Sequence, residues 1–276
     1  MKVAIIGGGA IGLLLASQLL EKEMTVHCTV KREEQCQALR QEGLHLIREG
    51  KKKRYESNLT VSLEIPSDVT HIVVATKYNA LPKLLPTLET FSRVPTLFIQ
   101  NGIAHYALVQ NSALHYPSFA SVTHGATKIT DTLVQQNGVG RVVIAKENAT
   151  NWQPFVSETV VCSSKSAAAI LYEKVWMNVL INPLTALYEV KNGELVQNRT
   201  LNIKMRALYN ELCIAFPEIE HVVPFQRVEQ LCIDTAENES SMYQDRKNNR
   251  IHEGETIVTP LIEEAKRKGV QLSQLI

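Results

Sequence analysis

Three polar residues interrupt an apolar stretch in the second half of the chain. Lys174, Asn178 and Asn182 recur at every fourth position, which places them on one face of a helix. Because the neighbouring residues are apolar almost all round, we expect this helix to be buried, and an unpaired amide there would cost about 1 to 3 kcal/mol. A ligand can supply the partners. A buried ammonium can also stabilise a developing oxyanion and donate a proton to it, so the set is a candidate for acid catalysis.

The residue after this set limits the helix that carries it. Pro183 lacks the amide that would bond the carbonyl of Val179, so we expect the helix over 166–181 to kink or to end at this point. The alternative interpretation of the set is a solvated lysine with two surface asparagines. That alternative conflicts with the apolar surroundings.

A second candidate site lies at the start of the chain, between a short apolar run at 2–6 and a helix-forming stretch at 13–20. The residues between them are Gly7, Gly8, Gly9, Ala10, Ile11 and Gly12. Gly7 permits a tight turn, Gly9 has no side chain to keep a pyrophosphate away, and Gly12 lets helix and strand pack closely. Unpaired amides at the start of that helix are expected to face the phosphates, and Ala10 and Ile11, within the turn, are expected to contact the cofactor with the glycines. The pattern predicts a dinucleotide site; the alternative is a glycine turn that serves packing only.

The end of the next predicted strand, 25–30, indicates which dinucleotide is preferred. An NAD site has an acidic residue there for the ribose hydroxyls, whereas this chain has Lys31 and Arg32. Two cations suit a 2′-phosphate, so we expect NADP(H). Glu33 and Glu34 are expected to cap the start of the following helix. A solvated basic turn is the alternative interpretation.

Two further buried strands are predicted at 72–75 and 96–100, followed by Lys77 and Asn101. In open parallel sheets ligands lie beyond the carboxyl ends of the strands. We therefore expect Lys77 and Asn101 to project toward the cofactor, with surface solvation as the alternative for Lys77.

Composition excludes several classes of protein. Among 276 residues the net charge is +1, which gives no broad electrostatic footprint for nucleic acid or membrane. The five cysteines form no C-x-x-C pair and fit reduced thiols. We find no signal peptide and no apolar run near the roughly 20 residues of a membrane span, so a cytoplasmic protein is expected. No metal site is expected, because His252-Glu253 lacks the second histidine of a zinc helix.

The hydrophobic patterns change near residue 165. Before it, short strands alternate with helices; after it, helical patterns at 166–181, 201–216, 225–238 and 260–268 take over. The sequence therefore predicts an α/β fold, with an N-terminal Rossmann-type dinucleotide-binding domain at 1–165 followed by an all-α C-terminal domain at 166–276. The basic run at 49–54 is expected at the solvated tip of a hairpin, and Thr259 and Pro260 at the start of the last helix.

Six motifs, in this order, resemble the ketopantoate reductase (2-dehydropantoate 2-reductase) family. The resemblance runs from Met1 to about Gly269. The motifs are Gly7-x-Gly9-x-x-Gly12, Asn101-Gly102, His124-Gly125-Ala126, Lys174-x-x-x-Asn178-x-x-x-Asn182-Pro183-Leu184-Thr185-Ala186, Asn192-Gly193 and Ser240-Ser241-Met242-x-Gln244-Asp245.

The resemblance implies NADPH-dependent reduction of 2-dehydropantoate to (R)-pantoate, in the pathway to pantothenate and coenzyme A. It implies that Lys174 is the catalytic lysine and Glu253 the second catalytic residue. It also implies three groups of binding residues: Asn178, Asn182, Asn192 and Ser241 for the substrate, Lys77 and Asn101 for cofactor and substrate, and Lys31 for the 2′-phosphate. The ordinary alternatives are a helix cap for Ser241 and a surface carboxylate for Glu253.

The chain departs from the family pattern in two places. It reads Glu253-Gly254-Glu255 where relatives have Glu-Ile-Asp, so either carboxylate could face the site; we favour Glu253. It also stops at Ile276, where members of the family usually continue into a final helix.

Two rival functions stay open at this stage. One is a related NADP-dependent dehydrogenase that acts on another 2-keto or hydroxy acid. The other is a non-catalytic NADP-sensing module that passes a signal to a protein partner, which the polar helix argues against. The sequence allows either a monomer or a homodimer.

Overall fold

The computed structural model describes residues 1–249 and 254–275. Contacts between Cα atoms divide the chain into two compact units. The first comprises Met1–Gln100 and His105–Ile170, and the second comprises Asn101–Ala104 and Leu171–Ile276.

The first unit contains twelve strands and four α-helices. The strands are β1 Lys2–Ile6, β2 Thr25–Thr29, β3 Leu44–Arg48, β4 Lys51–Tyr55, β5 Leu59–Ser62, β6 His71–Val74, β7 Thr96–Phe98, β8 Pro117–Val122, β9 Gly125–Lys128, β10 Leu133–Gly138, β11 Val142–Ile144 and β12 Val160–Cys162. The helices are α1 Ala10–Glu21, α2 Glu33–Glu42, α3 Leu81–Glu89 and α4 Ala104–Gln110, and 3₁₀ turns lie at Tyr78–Ala80 and Ala149–Phe155.

Eight strands form the main sheet, in the order β12-β11-β8-β7-β6-β1-β2-β5. From β5 to β8 all neighbours are parallel, and β11 joins antiparallel to β8. Strand β1 is almost completely buried, as expected of a central parallel strand whose residues are apolar throughout. The chain passes from β1 to β2 on one side and returns to β6 on the other. This reversal of strand order is where open α/β sheets bind ligands.

A smaller sheet has the order β4-β3-β10-β9. Its hairpin β3–β4 corrects the prediction for the basic run. The turn consists of Glu49 and Gly50 alone, both with positive φ, and Lys51 to Arg54 lie exposed within β4. A turn of this kind matches the natural twist of a hairpin. The charged residues therefore cover an edge strand, where they oppose pairing with another chain.

The second unit consists of helices wherever the structure describes it. They are α5 Ala167–Tyr188 (which begins in the first unit), α6 Glu194–Gln197, α7 Arg199–Ala215, α8 Ile219–Val222, α9 Phe225–Asp234, α10 Ser241–Lys247 and α11 Gly254–Arg267, with a 3₁₀ turn at Ser273–Leu275. Their apolar faces enclose one core, which includes Trp176, Leu180, Leu208 and Leu212. The predicted fold class is confirmed: a parallel α/β half precedes an all-helical half.

Two helix boundaries differ from the prediction. We expected a kink or an end of the helix at Pro183; helix α5 continues through Pro183 to Tyr188, so it does not end there. Packing on both sides of the proline outweighs one missing hydrogen bond. Helix α11 begins at Gly254, so Thr259 and Pro260 are inside it rather than at its start. Helix α11 ends at Arg267, one residue before the predicted end at Lys268, and Gly269, the predicted stop, has φ of 77°.

All five cysteines are unpaired, and Cys28, Cys36 and Cys232 are buried. Burial raises the pKa of the Cys28 thiol to about 12, which makes it an inert core residue. Within the described ranges, none of the helices combines the length and apolar character needed to cross a membrane. In the same ranges no group of His, Cys, Asp and Glu side chains has the arrangement of a metal site.

Candidate active site

The glycine turn joins β1 to α1 at the reversal of strand order. Gly7 has φ of +115°, and its amide donates to the carbonyl of Thr29 on β2 at 2.9 Å. A Cβ on Gly12 would lie 2.0 Å from the Gly7 carbonyl oxygen, so only glycine fits there. A Cβ on Gly9 would meet nothing within 4 Å. Packing therefore explains Gly7 and Gly12, whereas Gly9 leaves open space beside the start of α1.

The first residues of α1 are Ala10 and Ile11, and Gly9 is its N-cap. No side chain caps this end, and α1 has no acidic residue in its first turn. A helix start without a carboxylate keeps its positive dipole end available to an anion.

The turn is held by a side chain that the sequence analysis missed. Gln35 is buried on α2, and its Nε2 donates to the Gly8 carbonyl at 2.9 Å and to the Asp131 carbonyl at 3.1 Å. A Cβ on Gly8 would lie 2.6 Å from that nitrogen. Gln35 thus links the glycine turn to the connection between β9 and β10.

The two predicted phosphate ligands are at the carboxyl end of β2. Lys31 is exposed, and Arg32 is the N-cap residue of α2, whose first turn contains Glu33 and Glu34. The guanidinium of Arg32 forms an ion pair with Asp131. Lys128 donates to the same carboxylate at 2.9 Å. Hydrogen bonds from Lys128 and then Arg32 hold the pKa of Asp131 below its usual range.

The ends of β6 and β7 carry further polar groups. Lys77 is exposed after β6. Gln100, which is buried, donates from Nε2 to the carbonyls of Val74 at 2.9 Å and Thr76 at 3.2 Å, and this fixes its orientation. Its Oε1 and the hydroxyl of Thr76 are buried, and no described residue bonds either atom. Asn101, half-buried, follows Gln100 and belongs to the second unit.

In the second unit, α5 carries the polar set. Lys174 and Asn178 are half-buried, and Asn182 is buried. Their flanking residues Val175, Val179 and Ile181 are buried in the helical core. The amide of Asn182 lies 3.5 Å from the Ser241 hydroxyl, so the structure brings two of the predicted substrate residues together.

Ser240, rather than Ser241, is the cap of α10. Its hydroxyl accepts from the amide of Tyr243 at 3.2 Å and lies 2.7 Å from the hydroxyl of Thr185 on α5. Ser241 is exposed at the first position of the helix. The capping alternative considered for Ser241 therefore applies to its neighbour. A serine directly before a helical pattern was the signal that could have identified this residue.

Asn192 has a structural environment. Its Nδ2 donates to the Thr235 hydroxyl at 3.0 Å, and its backbone amide donates to the Asn238 carbonyl at 3.0 Å. A Cβ on the adjacent Gly193 would lie 2.7 Å from the Cβ of Ala236. This motif packs α6 against the chain that follows α9.

Two residues singled out in the sequence remain, His124 and Glu253. His124 is buried, and its Nδ1 accepts from the Gly140 amide at 3.1 Å. Burial, and secondarily the charge of Arg48, lowers the pKa of His124. Glu253, the predicted second catalytic residue, lies outside the described residues.

Comparison with known proteins covers both units. The model of the ketopantoate reductase PanE/ApbA family matches residues 3–148, and that of the family's C-terminal region matches residues 167–275. The 2-dehydropantoate 2-reductase of Listeria monocytogenes is 34% identical over 293 residues, which cover 100% of this chain and 93% of the relative.

Solved structures agree with this similarity. The crystal structure of a probable 2-dehydropantoate 2-reductase from Bacillus subtilis has a TM-score of 0.86 at 29% identity, covering 100% of this chain and 96% of the other. A ternary complex of D-mandelate dehydrogenase with NADH and anilino(oxo)acetate has the same TM-score at 23% identity, covering 100% of this chain and 95% of that one, which shows a shared fold. The chain is therefore an oxidoreductase that belongs to the ketopantoate reductase PanE/ApbA family.

Proposed function

We propose that this protein reduces 2-dehydropantoate to (R)-pantoate with NADPH, the step that leads to pantothenate and coenzyme A. The observation that carries the proposal is similarity over the whole chain to a relative with that named activity. The two domains would divide the work, with residues 1–165 binding the cofactor and 166–276 the keto acid.

A dinucleotide fits the residues of the first unit. Gly9 leaves open space beside a helix start that has no acidic residue, as a pyrophosphate requires. At the ends of β6 and β7, the buried Gln100 Oε1 and Thr76 Oγ1 have no partner among the described residues. A bound donor such as a ribose hydroxyl or a carboxamide would satisfy them. Gly7, Gly9, Gly12, Ala10 and Ile11 would contact the pyrophosphate, and Lys77 and Asn101 the remainder.

The reaction requires a hydride at the carbonyl carbon and a proton at its oxygen, and NADPH supplies the hydride when bound. We assign the proton to Lys174. Its ammonium would hold the carbonyl oxygen by charge and donate as negative charge develops there. Asn178, Asn182 and Ser241 would bind the hydroxyl and carboxylate oxygens without adding charge. Asn192 would support the same pocket, and Glu253 would stabilise the lysine's charged form.

Replacement of Lys174 tests this mechanism. We expect Lys174→Ala to lower kcat about 100- to 10,000-fold, because a general acid contributes that much, with little change in NADPH affinity. Lys174→Arg should remain slow, since a guanidinium keeps the charge but does not give up its proton. Added methylammonium should restore part of the Lys174→Ala activity. Lys266→Ala, at an exposed position on α11, is the matched control.

A substrate panel tests the specificity. NADPH oxidation should be fastest in kcat/KM with ketopantoate among 2-keto acids of similar size. Wild-type turnover that favours another keto acid would assign the same chemistry to a different substrate. Cofactor binding without turnover of any of them would favour the sensing module.

The cofactor assignment has its own test. Neutral residues at Lys31 and Arg32 should weaken NADPH far more than NADH, because only NADPH has the 2′-phosphate. Equal losses for both would contradict a phosphate site at these residues.

The unpaired state of all five cysteines supports a reducing compartment, so we place the enzyme in the cytoplasm.

A further inference from the structure

We propose that Asp131 sets the strength of the preference for NADPH over NADH, by competing with the 2′-phosphate for a cluster of two cations. The cluster consists of Arg32, at the end of β2, and Lys128, at the end of β9, both of which contact the Asp131 carboxylate. The inference rests on the proposed function, because it assumes that a 2′-phosphate binds at the end of β2.

The contacts of Asp131 show which cations it would share with a bound phosphate. Its carboxylate forms an ion pair with Arg32 and accepts from Lys128 Nζ at 2.9 Å. The carboxylate is 29% exposed and Arg32 is 50% exposed, so a ligand can reach both. Arg32 is thus already engaged by an acidic group, and Lys128 is a cation near it that no local sequence pattern reveals.

The position of Asp131 beside the glycine turn is held by its surroundings. Gln35 donates from one nitrogen to the Gly8 carbonyl and to the Asp131 carbonyl. The next residue, Thr132, is buried; its hydroxyl donates to Glu42 at 2.8 Å and its carbonyl accepts from the His45 amide at 2.7 Å. Helix α2 and strand β3 therefore fix the connection between β9 and β10 close to the turn that would hold the pyrophosphate.

The charges determine the sign of the effect. One carboxylate between two cations leaves a net charge of about +1 on the cluster, and without the carboxylate it would be about +2, whereas a phosphate monoester carries about −1.5 to −2 at neutral pH. Asp131 lowers the attraction of this cluster for the phosphate, and Arg32 must share its donors between the two anions. NADH has no phosphate, and its ribose hydroxyl can donate to a carboxylate, as it does to the acidic residue of NAD sites. Asp131 therefore opposes NADPH and tolerates NADH.

The effect should be moderate because the groups are partly exposed. Asp131→Asn keeps the size of the side chain and removes its charge. We expect the Kd for NADPH to fall about two- to fivefold, in keeping with the strength of exposed ion pairs. The Kd for NADH should stay constant or rise. Added salt should weaken NADPH binding more steeply in the variant, since its cluster carries more uncompensated charge.

The binding measurement uses the full chain without keto acid, so that it is independent of turnover. Fluorescence titration with NADPH and with NADH gives the two dissociation constants. Asp68→Asn is the matched control: Asp68 also forms an ion pair, with Lys2 at 2.7 Å, but at the amino end of β1, opposite the glycine turn. This control should leave the ratio of the two constants unchanged.

A double-mutant cycle tests whether Asp131 acts through the cluster. In an Arg32→Met background, Asp131→Asn should change NADPH affinity much less than it does in the wild type, because the shared partner is gone. Thermal unfolding of each variant verifies that it is folded.

The outcomes separate this inference from the proposed function. A wild type that prefers NADPH and reduces ketopantoate, with a ratio that Asp131→Asn leaves unchanged, overturns the role of Asp131 alone. Weaker NADPH binding in Asp131→Asn also overturns it, because the carboxylate would then be orienting Arg32 for the phosphate. A wild type without preference for NADPH refutes the cofactor assignment, and this inference with it.

Discussion

Polar side chains on α5 obtain protein partners from the segment that begins α10. Thr185 is completely buried, and its hydroxyl lies 3.0 Å from the carbonyls of Ile181 and Asn182 and 2.7 Å from Ser240 Oγ. Asn182 approaches Ser241. The two adjacent serines therefore have different roles. Ser240 caps α10 and links it to α5, whereas Ser241 is exposed beside Asn182, a proposed substrate residue.

Alanine at each serine should separate these roles. Ser240→Ala removes a helix cap and a partner of Thr185, so we expect a loss of about 1 to 2 kcal/mol in the free energy of unfolding. Ser241→Ala should change that free energy by less than about 0.5 kcal/mol, as exposed positions do, and raise the KM for the keto acid. Urea unfolding and steady-state kinetics on both variants measure this. Similar stability losses in the two would refute the division.

The strand-turn-helix element could be predicted from sequence in detail, because its requirements are local. Each glycine follows from the chain geometry within a few residues, and the strand and helix follow from their apolar periods. The hairpin β3–β4 was harder. Lys51 to Arg54 was interpreted as a loop from its charge, whereas Glu49 and Gly50 alone make the turn. A run of charged residues indicates that the segment is exposed to solvent, and an edge strand is as exposed as a loop.

Two glycines of the turn should respond oppositely to alanine. Gly12→Ala places a Cβ 2.0 Å from the Gly7 carbonyl oxygen, so we expect marked destabilisation or failure to fold. Gly9→Ala meets no protein atom within 4 Å, so the melting temperature should change little while NADPH binding weakens by at least about tenfold. Thermal melting and cofactor titration distinguish the two. Unaltered NADPH affinity in Gly9→Ala would contradict a pyrophosphate at this turn.

Pairings between distant parts of the chain were beyond prediction from sequence. Gln35 and Asp131 meet only because the β9–β10 connection folds beside α2. No residue spacing records such a contact. The same holds for Thr185 and Ser240, between which four helices, α6 to α9, lie in the chain. The polar set on α5 was predictable since its period lies within one helix.

For the molecule as a whole, three buried or half-buried histidines should make stability depend on pH. Burial is the main cause that lowers the pKa of His27, His71 and His124 below 6.5. All three belong to the first unit. His27, for example, lies between the hydroxyls of Thr60 at 2.8 Å and Ser62 at 2.9 Å. These rings favour the neutral form in the folded state.

We therefore expect the first unit to lose stability as the pH falls below about 6.5. There the unfolded chain binds protons that the folded chain does not, so stability rises with pH across this window. Asp68, Asp131 and Glu237, whose pKa is lowered by hydrogen bonds from lysines, stay ionised in both states above pH 5.5 and contribute little. Urea midpoints at pH 7.5 and 5.5 measure the loss. His27→Gln should reduce the difference between the midpoints, and His221→Gln, at an exposed position, should not. A midpoint independent of pH would contradict this account.

The segment Asn101–Ala104 follows β7 and includes the first residue of α4, but it groups with the helices of the second unit, and Ile103 packs against their core. A fragment that contains only residues 166–276 would therefore lack Ile103, an apolar side chain that packs against its core. This fragment should be prone to aggregation. A separate peptide comprising residues 101–104 would lose more entropy on binding to it than the same segment loses in the intact chain. We therefore expect that cutting the chain near residue 165 separates the helical unit from a segment that it needs.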